Sequence, residues 1–255
     1  MVGRGDPVAS YVAVTALSHA GLVREHNEDS LVIGPWTLCG TVTENPQTLV
    51  FRRGTPLCVA VADGLGGQPA GEVASALVVR NLSILGPSLD GEDTVRRALE
   101  ACNEAVYAAA DGDPALLTMG TTVAGVVVLA DSLLTFNVGD SRVYETGRDG
   151  LRQVSVDDSP ALRPGQRTTS IVTQTLGGSL EFQQVTPHLT GMPLAVGHRC
   201  LICTDGLTDT VTDEQLDRLL LGAEDDGRAA FELWRAAIEA GAPDNITLIV
   251  LSVGE

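Results

Sequence analysis

No lysine occurs among the 255 residues; all 16 basic side chains are arginine. That absence excludes Schiff-base chemistry, a P-loop lysine and a Ser–Lys dyad, each of which needs an amine. Basic charge is scarce altogether, 16 groups against 33 acidic ones for a net charge of −17. Such a surface argues against nucleic acid or an anionic membrane as a partner. No apolar run approaches the roughly 18 residues of a membrane-crossing helix. The opening Met1-Val2-Gly3-Arg4-Gly5-Asp6 lacks the apolar centre of a signal peptide, so a cytoplasmic location is expected.

Metal and nucleophile motifs of the common kinds are also missing. None of the four histidines is paired at ligand spacing, and there is no Gly-x-Ser-x-Gly elbow. The five cysteines (Cys39, Cys58, Cys102, Cys200, Cys203) are odd in number and scattered. Cys200 and Cys203 have zinc-knuckle spacing but lie in an apolar strand with no second pair, which makes them small buried hydrophobes on opposite faces. Gly64-x-Gly66-x-x-Pro69 lacks the third dinucleotide-binding glycine, and Gly66-x4-Gly71 runs into Glu72 where a P-loop needs lysine. Asp205–Leu216 ends on leucine where a calcium loop needs glutamate.

Strand patterns dominate what remains. Tyr11–Ser18 and Asp29–Ile33 flank a Gly21–Glu28 turn, and Pro56–Ala62 follows. Thr121–Leu129, Ser132–Val138, Arg142–Thr146 and Leu151–Val156 are predicted to form a meander, with Gly139-Asp140 as one of its hairpin turns. Arg199–Cys203 and Ile246–Val253 complete the set. Helical periodicity marks Ala70–Leu85, Asp93–Ala110, Leu216–Leu221 behind a Thr212…Gln215 capping box, and Asp226–Ala240. Antiparallel strands with helices grouped in pairs predict an α+β fold in which two sheets pack face to face with helices outside. One domain over 11–255 is expected, behind a flexible leader at 1–10.

Three strands end on an aspartate beside a turn-forming residue: Asp63-Gly64, Asp205-Gly206 and Pro243-Asp244-Asn245. If those ends converge, the like charges raise one another's pKa unless a hard divalent cation with oxygen ligands neutralises them. Two cations about 3.5–4 Å apart can acidify a shared water and clamp an in-line displacement at phosphorus. The aspartates belong to an ordered set of six short motifs: Arg24-x-x-Asn27-Glu28-Asp29, Asp63-Gly64-x-Gly66-Gly67, Met119-Gly120-Thr121-Thr122, Asn137-Val138-Gly139-Asp140-Ser141-Arg142, Thr204-Asp205-Gly206-Leu207 and Asp244-Asn245-Ile246-Thr247. The order and spacing, over roughly residues 15–253, resemble the metal-dependent protein Ser/Thr phosphatases of the type 2C or PPM family, in a bacterial form with a short flap.

The resemblance implies a four-layer αββα sandwich holding two Mn²⁺ or Mg²⁺ ions at one edge. Asp63 would bridge both ions, the Gly64 carbonyl would bind one, and Asp205 and Asp244 would complete the other. Glu28 and Asp29 match the family's acidic pair, which reaches the ions directly or through waters. Arg24 matches the arginine that grips the substrate phosphate. Asp63, Asp205 and Arg24 would then carry catalysis by direct attack of a hydroxide bridging the two metals, with no phosphoenzyme. The implied partners are phosphoserine/phosphothreonine proteins and a cognate kinase, and a monomer is expected. Met119–Thr122 and Asn137–Arg142 read as architecture.

Three departures from the family's pattern matter. Leu65 stands where many members carry a histidine proposed as general acid. Leu116-Leu117-Thr118 lacks the acidic residue that bacterial relatives use for a third metal, so that metal is expected to be weak or absent, with Asp205 and Asp157 as its remaining ligands. Pro160–Val172 replaces a mobile flap of about thirty residues, well above ordinary loop length. Two rival readings keep the fold: a weakly active phosphoprotein-binding module, and a small-molecule phosphatase, for which the acidic surface disfavours nucleotides.

Overall fold

The computed structural model describes residues 11–67, 69–147, 150–161 and 168–255. The expected leader at 1–10 lies outside them, as does the middle of the short Pro160–Val172 connection. The first half contains strands β1 (Tyr11–His19), β2 (Ser30–Ile33), β3 (Trp36–Cys39), β4 (Gln47–Arg52), β5 (Leu57–Ala62) and β6 (Gly64–Leu65), then helices α1 (Ala70–Leu85) and α2 (Glu92–Ala110). A second β region follows, with β7 (Gly120–Thr121), β8 (Val123–Val128), β9 (Ser132–Val138), β10 (Arg142–Gly147), β11 (Gly150–Gln153), β12 (Leu176–Gly177), β13 (His188–Pro193) and β14 (Arg199–Cys203). Helices α3 (Asp205–Thr208), α4 (Asp213–Gly222) and α5 (Asp226–Glu239) lead into the last strand, β15 (Ile246–Gly254).

Two six-stranded antiparallel sheets result, ordered β11-β10-β14-β15-β1-β4 and β13-β9-β8-β5-β2-β3. Strand alternation assigns each face. In β5, Val59 and Val61 point between the sheets, where they meet Val14, Ile249 and Leu251. Cys58, Ala60 and Ala62 point outward under Ala74, Val78, Leu82 and Leu99 of α1 and α2. On the other side, Leu201, Leu248 and Val250 lie under Leu216, Leu220 and Leu233 of α4 and α5. Central strands covered on both faces must be apolar at every position, which is why β5 reads as one continuous run. The sandwich expected from the sequence is therefore the fold, with Cys200 between the sheets and Cys203 under the helices. All five cysteines are free thiols.

The predicted meander is wrong at its centre. Strand β9 belongs to one sheet and β10 to the other, so Gly139-Asp140-Ser141 is a crossover between sheets and not a hairpin turn. Gly139 has φ +101°, and a Cβ there would lie 2.6 Å from the Thr122 side chain. A tight glycine passage looks the same in sequence whether it returns to its own sheet or climbs to the next. Strands β1 and β2 likewise part to different sheets, and the predicted Thr121–Leu129 strand splits into β7 and β8. Among the described residues, no helix is long and apolar enough to cross a membrane.

Candidate active site

Antiparallel pairing gathers the acidic strand ends. Cys203 pairs with Leu248, so the C-terminal end of β14, which leads to Asp205, lies beside the N-terminal end of β15, which follows Asp244. In the facing sheet Ser30 pairs with Ala62, which sets Asp29 beside Asp63. The two sheets are stitched together at this edge by Thr204, whose hydroxyl donates to Asp29 Oδ2 at 2.9 Å. Thr204 also exchanges hydrogen bonds with Thr247, as Thr204 N to Thr247 O and Thr247 N to Thr204 Oγ1, both at 3.0 Å. Asp63 and Asp205 share a side-chain hydrogen bond across the gap.

The electrostatics follow from this crowding. Burial pushes the Asp63 carboxyl well above the usual carboxylate range, and the Asp205 charge adds to it. Burial raises Asp205 as well, against the hydrogen bond from Asp63. Asp29 is pushed up to about 7 by burial, although Thr247 and Thr204 hydrogen-bond to its charged form. Glu28, half-buried, is raised by desolvation and pulled back by Arg24. Two buried oxygens, Asp29 Oδ1 and Asp205 Oδ1, have no hydrogen-bond partner. Buried carboxylate oxygens left without donors fit a hard cation, which neutralises the charge that burial penalises. Among the described residues, no three acidic, histidine or cysteine side chains already stand at ligand-cage spacing. Asp63 and Asp205 instead share a hydrogen bond, and Asp244 Oδ2 pairs with Arg24 Nη2 at 2.7 Å.

The supporting polar groups account for the other ordered motifs. Asn245 Oδ1 accepts from Glu28 N at 2.8 Å, while its amide donates to the carbonyls of Ala20 and His26. Asn27 donates to Ser18 Oγ and to the Thr41 carbonyl. The Thr121 hydroxyl and Thr122 N–H both donate to the Asp63 carbonyl, at 2.8 and 2.9 Å. Thr122 Oγ1 lies 2.7 Å from Ser141 Oγ, tying the crossover to the same frame. Gly64 opens β6, and Glu28 and Gly71 close over its Cα.

Gly206 is equally constrained, because an added Cβ would sit 1.8 Å from the Asn245 carbonyl oxygen. We expect Gly206→Ala to lose about 3 kcal/mol of stability, the upper range for overpacking. Gly222→Ala, with nothing within 4 Å of the added methyl, serves as the control in thermal unfolding. Equal melting temperatures for the two variants would overturn this reading of the Gly206 contact.

Sequence reasoning missed two residues of this edge. Asp140 is buried and pushed up to about 7 by burial and then by Asp205. Asp209, one turn beyond Asp205, is pushed up to about 6 by the same two causes. Both line a small cavity with Arg142, Asp157, Asp205 and Thr208. The available signal was a further aspartate at a strand end, in Gly139-Asp140, and its hairpin reading concealed it. Asp157, the expected second ligand of a third metal, is committed elsewhere: Arg142 Nε and Nη2 reach its Oδ2 at 2.9 and 2.7 Å, and Gln153 donates to its Oδ1 at 2.6 Å.

Comparison with known proteins agrees with this geometry. A family profile described as protein phosphatase 2C matches residues 47–240. The chain is 34% identical over 254 residues to "Serine/threonine protein phosphatase PstP" of Mycobacterium tuberculosis, covering 93% of this chain but 44% of that protein. It is 29% identical to "Serine/threonine phosphatase stp" of Listeria monocytogenes over 91% of this chain and 92% of that one. The crystal structure of the PstP catalytic domain with two manganese ions superposes with a TM-score of 0.78 at 31% identity, covering 96% of this chain and 100% of that one. A family match over 47–240, which takes in Asp63 and Asp205, together with the PstP relative aligned over 93% of the chain, leaves one assignment: the chain belongs to the protein phosphatase 2C family.

Proposed function

We propose that this chain is a protein Ser/Thr phosphatase that hydrolyses phosphoserine and phosphothreonine monoesters with the help of two divalent cations, Mn²⁺ or Mg²⁺. The observation that carries the reading is the convergence of Asp29, Asp63 and Asp205 at one buried edge, two of them with unpartnered oxygens, beside the Arg24–Asp244 pair. The names of the Mycobacterium and Listeria relatives, and the two manganese ions of the PstP domain, support it.

Asp63, the Gly64 carbonyl, Asp205 and Asp244 would hold the cations, with Glu28 and Asp29 behind them. When bound, a cation pair supplies Lewis-acid polarisation of the phosphoryl oxygens and lowers the pKa of water. The protein's own part is to bind and orient. Arg24, half-exposed at the rim, offers the planar fork that suits a phosphate dianion. Thr204, Thr247 and Asn245 fix the strand ends from which the carboxylates project. Leu65 has no proton to give, so the leaving oxygen takes its proton from solvent. Asp157 stays bound to Arg142 in this scheme, and Asp140 and Asp209 are the carboxylates left facing Asp205.

A Mn²⁺-supplemented assay of a phosphothreonine peptide, p-nitrophenyl phosphate and ATP tests the proposal. The expected result is orthophosphate release from the first two with little from ATP. Preference for ATP would favour a small-molecule phosphatase, and binding of the peptide without turnover would favour a phosphoprotein-binding module.

A further inference from the structure

Two exposed aliphatic side chains precede the rim arginine. Leu22 is 61% exposed and Val23 68% exposed, and among the described residues they are the only consecutive pair of large exposed hydrophobics. Neither belongs to any of the three hydrophobic clusters of the core. Scattered surface hydrophobics need no explanation, but these two sit on a segment that is held unusually firmly.

The anchoring is visible bond by bond. Gly21 N donates to His19 Nδ1 at 2.9 Å, and Leu22 N donates to the Ala242 carbonyl at 2.9 Å. The Asn245 amide holds the Ala20 and His26 carbonyls on either side. Gly21 adopts φ +79°, and a Cβ there would meet the Asp244 carbonyl oxygen at 2.2 Å. The backbone from 20 to 26 is thus pinned to the Asp244–Asn245 corner of the site. Its two aliphatic side chains are left in water, next in the chain to Arg24.

We propose that Leu22 and Val23 form an apolar docking ledge for the substrate residue flanking the phosphorylated side chain. The proposal rests on the phosphoprotein-phosphatase reading and on the assignment of Arg24 to phosphate. Leu22 and Val23 directly precede Arg24 on the loop pinned to the Asp244–Asn245 corner, which puts them within reach of a residue flanking a phosphate held by Arg24. The ledge itself carries no charge, and its surroundings include Glu25, Glu28 and Asp244 in a chain of net charge −17. An aliphatic flanking residue loses water contact against Leu22 and Val23, whereas an acidic one meets like charge and gains nothing from them. A pre-fixed loop makes that contact without an ordering cost. Selection by the ledge therefore favours phosphothreonine peptides with leucine or valine next to the phosphoresidue over the same peptides with serine or aspartate there.

The experiment measures kcat/KM with Mn²⁺ for peptides with leucine, serine or aspartate flanks and for p-nitrophenyl phosphate, in the unmodified protein and in the Leu22→Ser/Val23→Ser variant. The unmodified protein is expected to favour leucine over serine flanks about tenfold, the scale of one buried aliphatic contact. In the variant, the leucine-flanked rate relative to p-nitrophenyl phosphate falls about tenfold while the serine-flanked ratio holds. A Leu22→Met/Val23→Ile variant retains the preference, since it keeps the apolar surface. The same flank preference in the serine variant as in the unmodified protein, or none in either, would overturn the ledge alone. Turnover of p-nitrophenyl phosphate with none of any phosphopeptide would overturn the phosphoprotein reading, and the ledge with it.

Discussion

Asp205→Asn is expected to lower turnover of p-nitrophenyl phosphate by about 10³-fold or more, the equivalent of ~4 kcal/mol of transition-state stabilisation. Asparagine keeps the shape of the side chain and can keep the hydrogen bond to Asp63, so the loss reports the missing negative charge. The same variant should melt higher than the parent in chelator. Burial raises the Asp63, Asp205 and Asp29 carboxyls above their unfolded values, so the folded state binds more protons than the unfolded one between those values. Stability of the cation-free protein therefore falls as pH rises from about 4 through about 7, where Asp29 and Asp140 titrate. Removing one of these charges relieves part of that penalty. Mn²⁺ relieves it differently: at a concentration 100 times its Kd, a ligand of the folded state alone adds about 2.7 kcal/mol. Scanning calorimetry with chelator and with Mn²⁺, beside the activity assay, checks all three statements. Retention of more than a tenth of the activity, or an undiminished Mn²⁺-induced rise in melting temperature, would remove Asp205 from the cation site.

Much of this edge was legible because strand ends are punctuated by the residues that turn the chain. An apolar run broken by Asp-Gly, as at Asp63-Gly64 and Asp205-Gly206, marks both a buried strand and the point where a carboxylate leaves it. The helices were legible for a similar reason, since Thr212 and Gln215 form the expected capping box at the start of α4. Partnership between strands was not. Which sheet receives β10 depends on contacts with Cys203 and its neighbours, some sixty residues away in sequence, and no local period encodes that. The edge strands β3 and β4 escaped because neither is covered on both faces. Thr48, Val50 and Arg52 reach solvent, and the run from Gln47 to Arg52 is too mixed to stand out. Asp140 escaped because its meaning depends on the crossover. The role of Arg142 was half-legible: a nearby partner was expected, but that the partner is Asp157, removing it from any third-metal site, is a fact of tertiary packing.

Arg24→Ala should reduce kcat/KM by about 30- to 10³-fold, which corresponds to the ~2–4 kcal/mol lost with one charged donor to the transition state. Its effect on stability should be small. The Arg24–Asp244 pair is 55% and 39% exposed on its two side chains, and ion pairs in water contribute at most about 1 kcal/mol. That contrast separates a functional arginine from a structural one. Arg142 is the internal comparison: it is half-buried, bound to Asp157 through three contacts, and its loss leaves a half-buried carboxylate with its cationic partner gone and the Gln153 amide still on Oδ1. Arg142→Ala should therefore unfold at lower temperature, whereas Arg24→Ala should not. The pairing of Arg24 with Asp244 adds a second discriminating outcome. A guanidinium on Asp244 competes with any cation for the same carboxylate, so alanine at position 24 leaves the apparent Mn²⁺ affinity equal or tighter while substrate capture weakens. Arg24→Lys keeps the charge but loses the two-pronged geometry, and should recover only part of kcat/KM. An Arg24→Ala protein with unchanged kcat/KM, or one that loses Mn²⁺ affinity in step with activity, would place this arginine in the scaffold of the site and not at the phosphate.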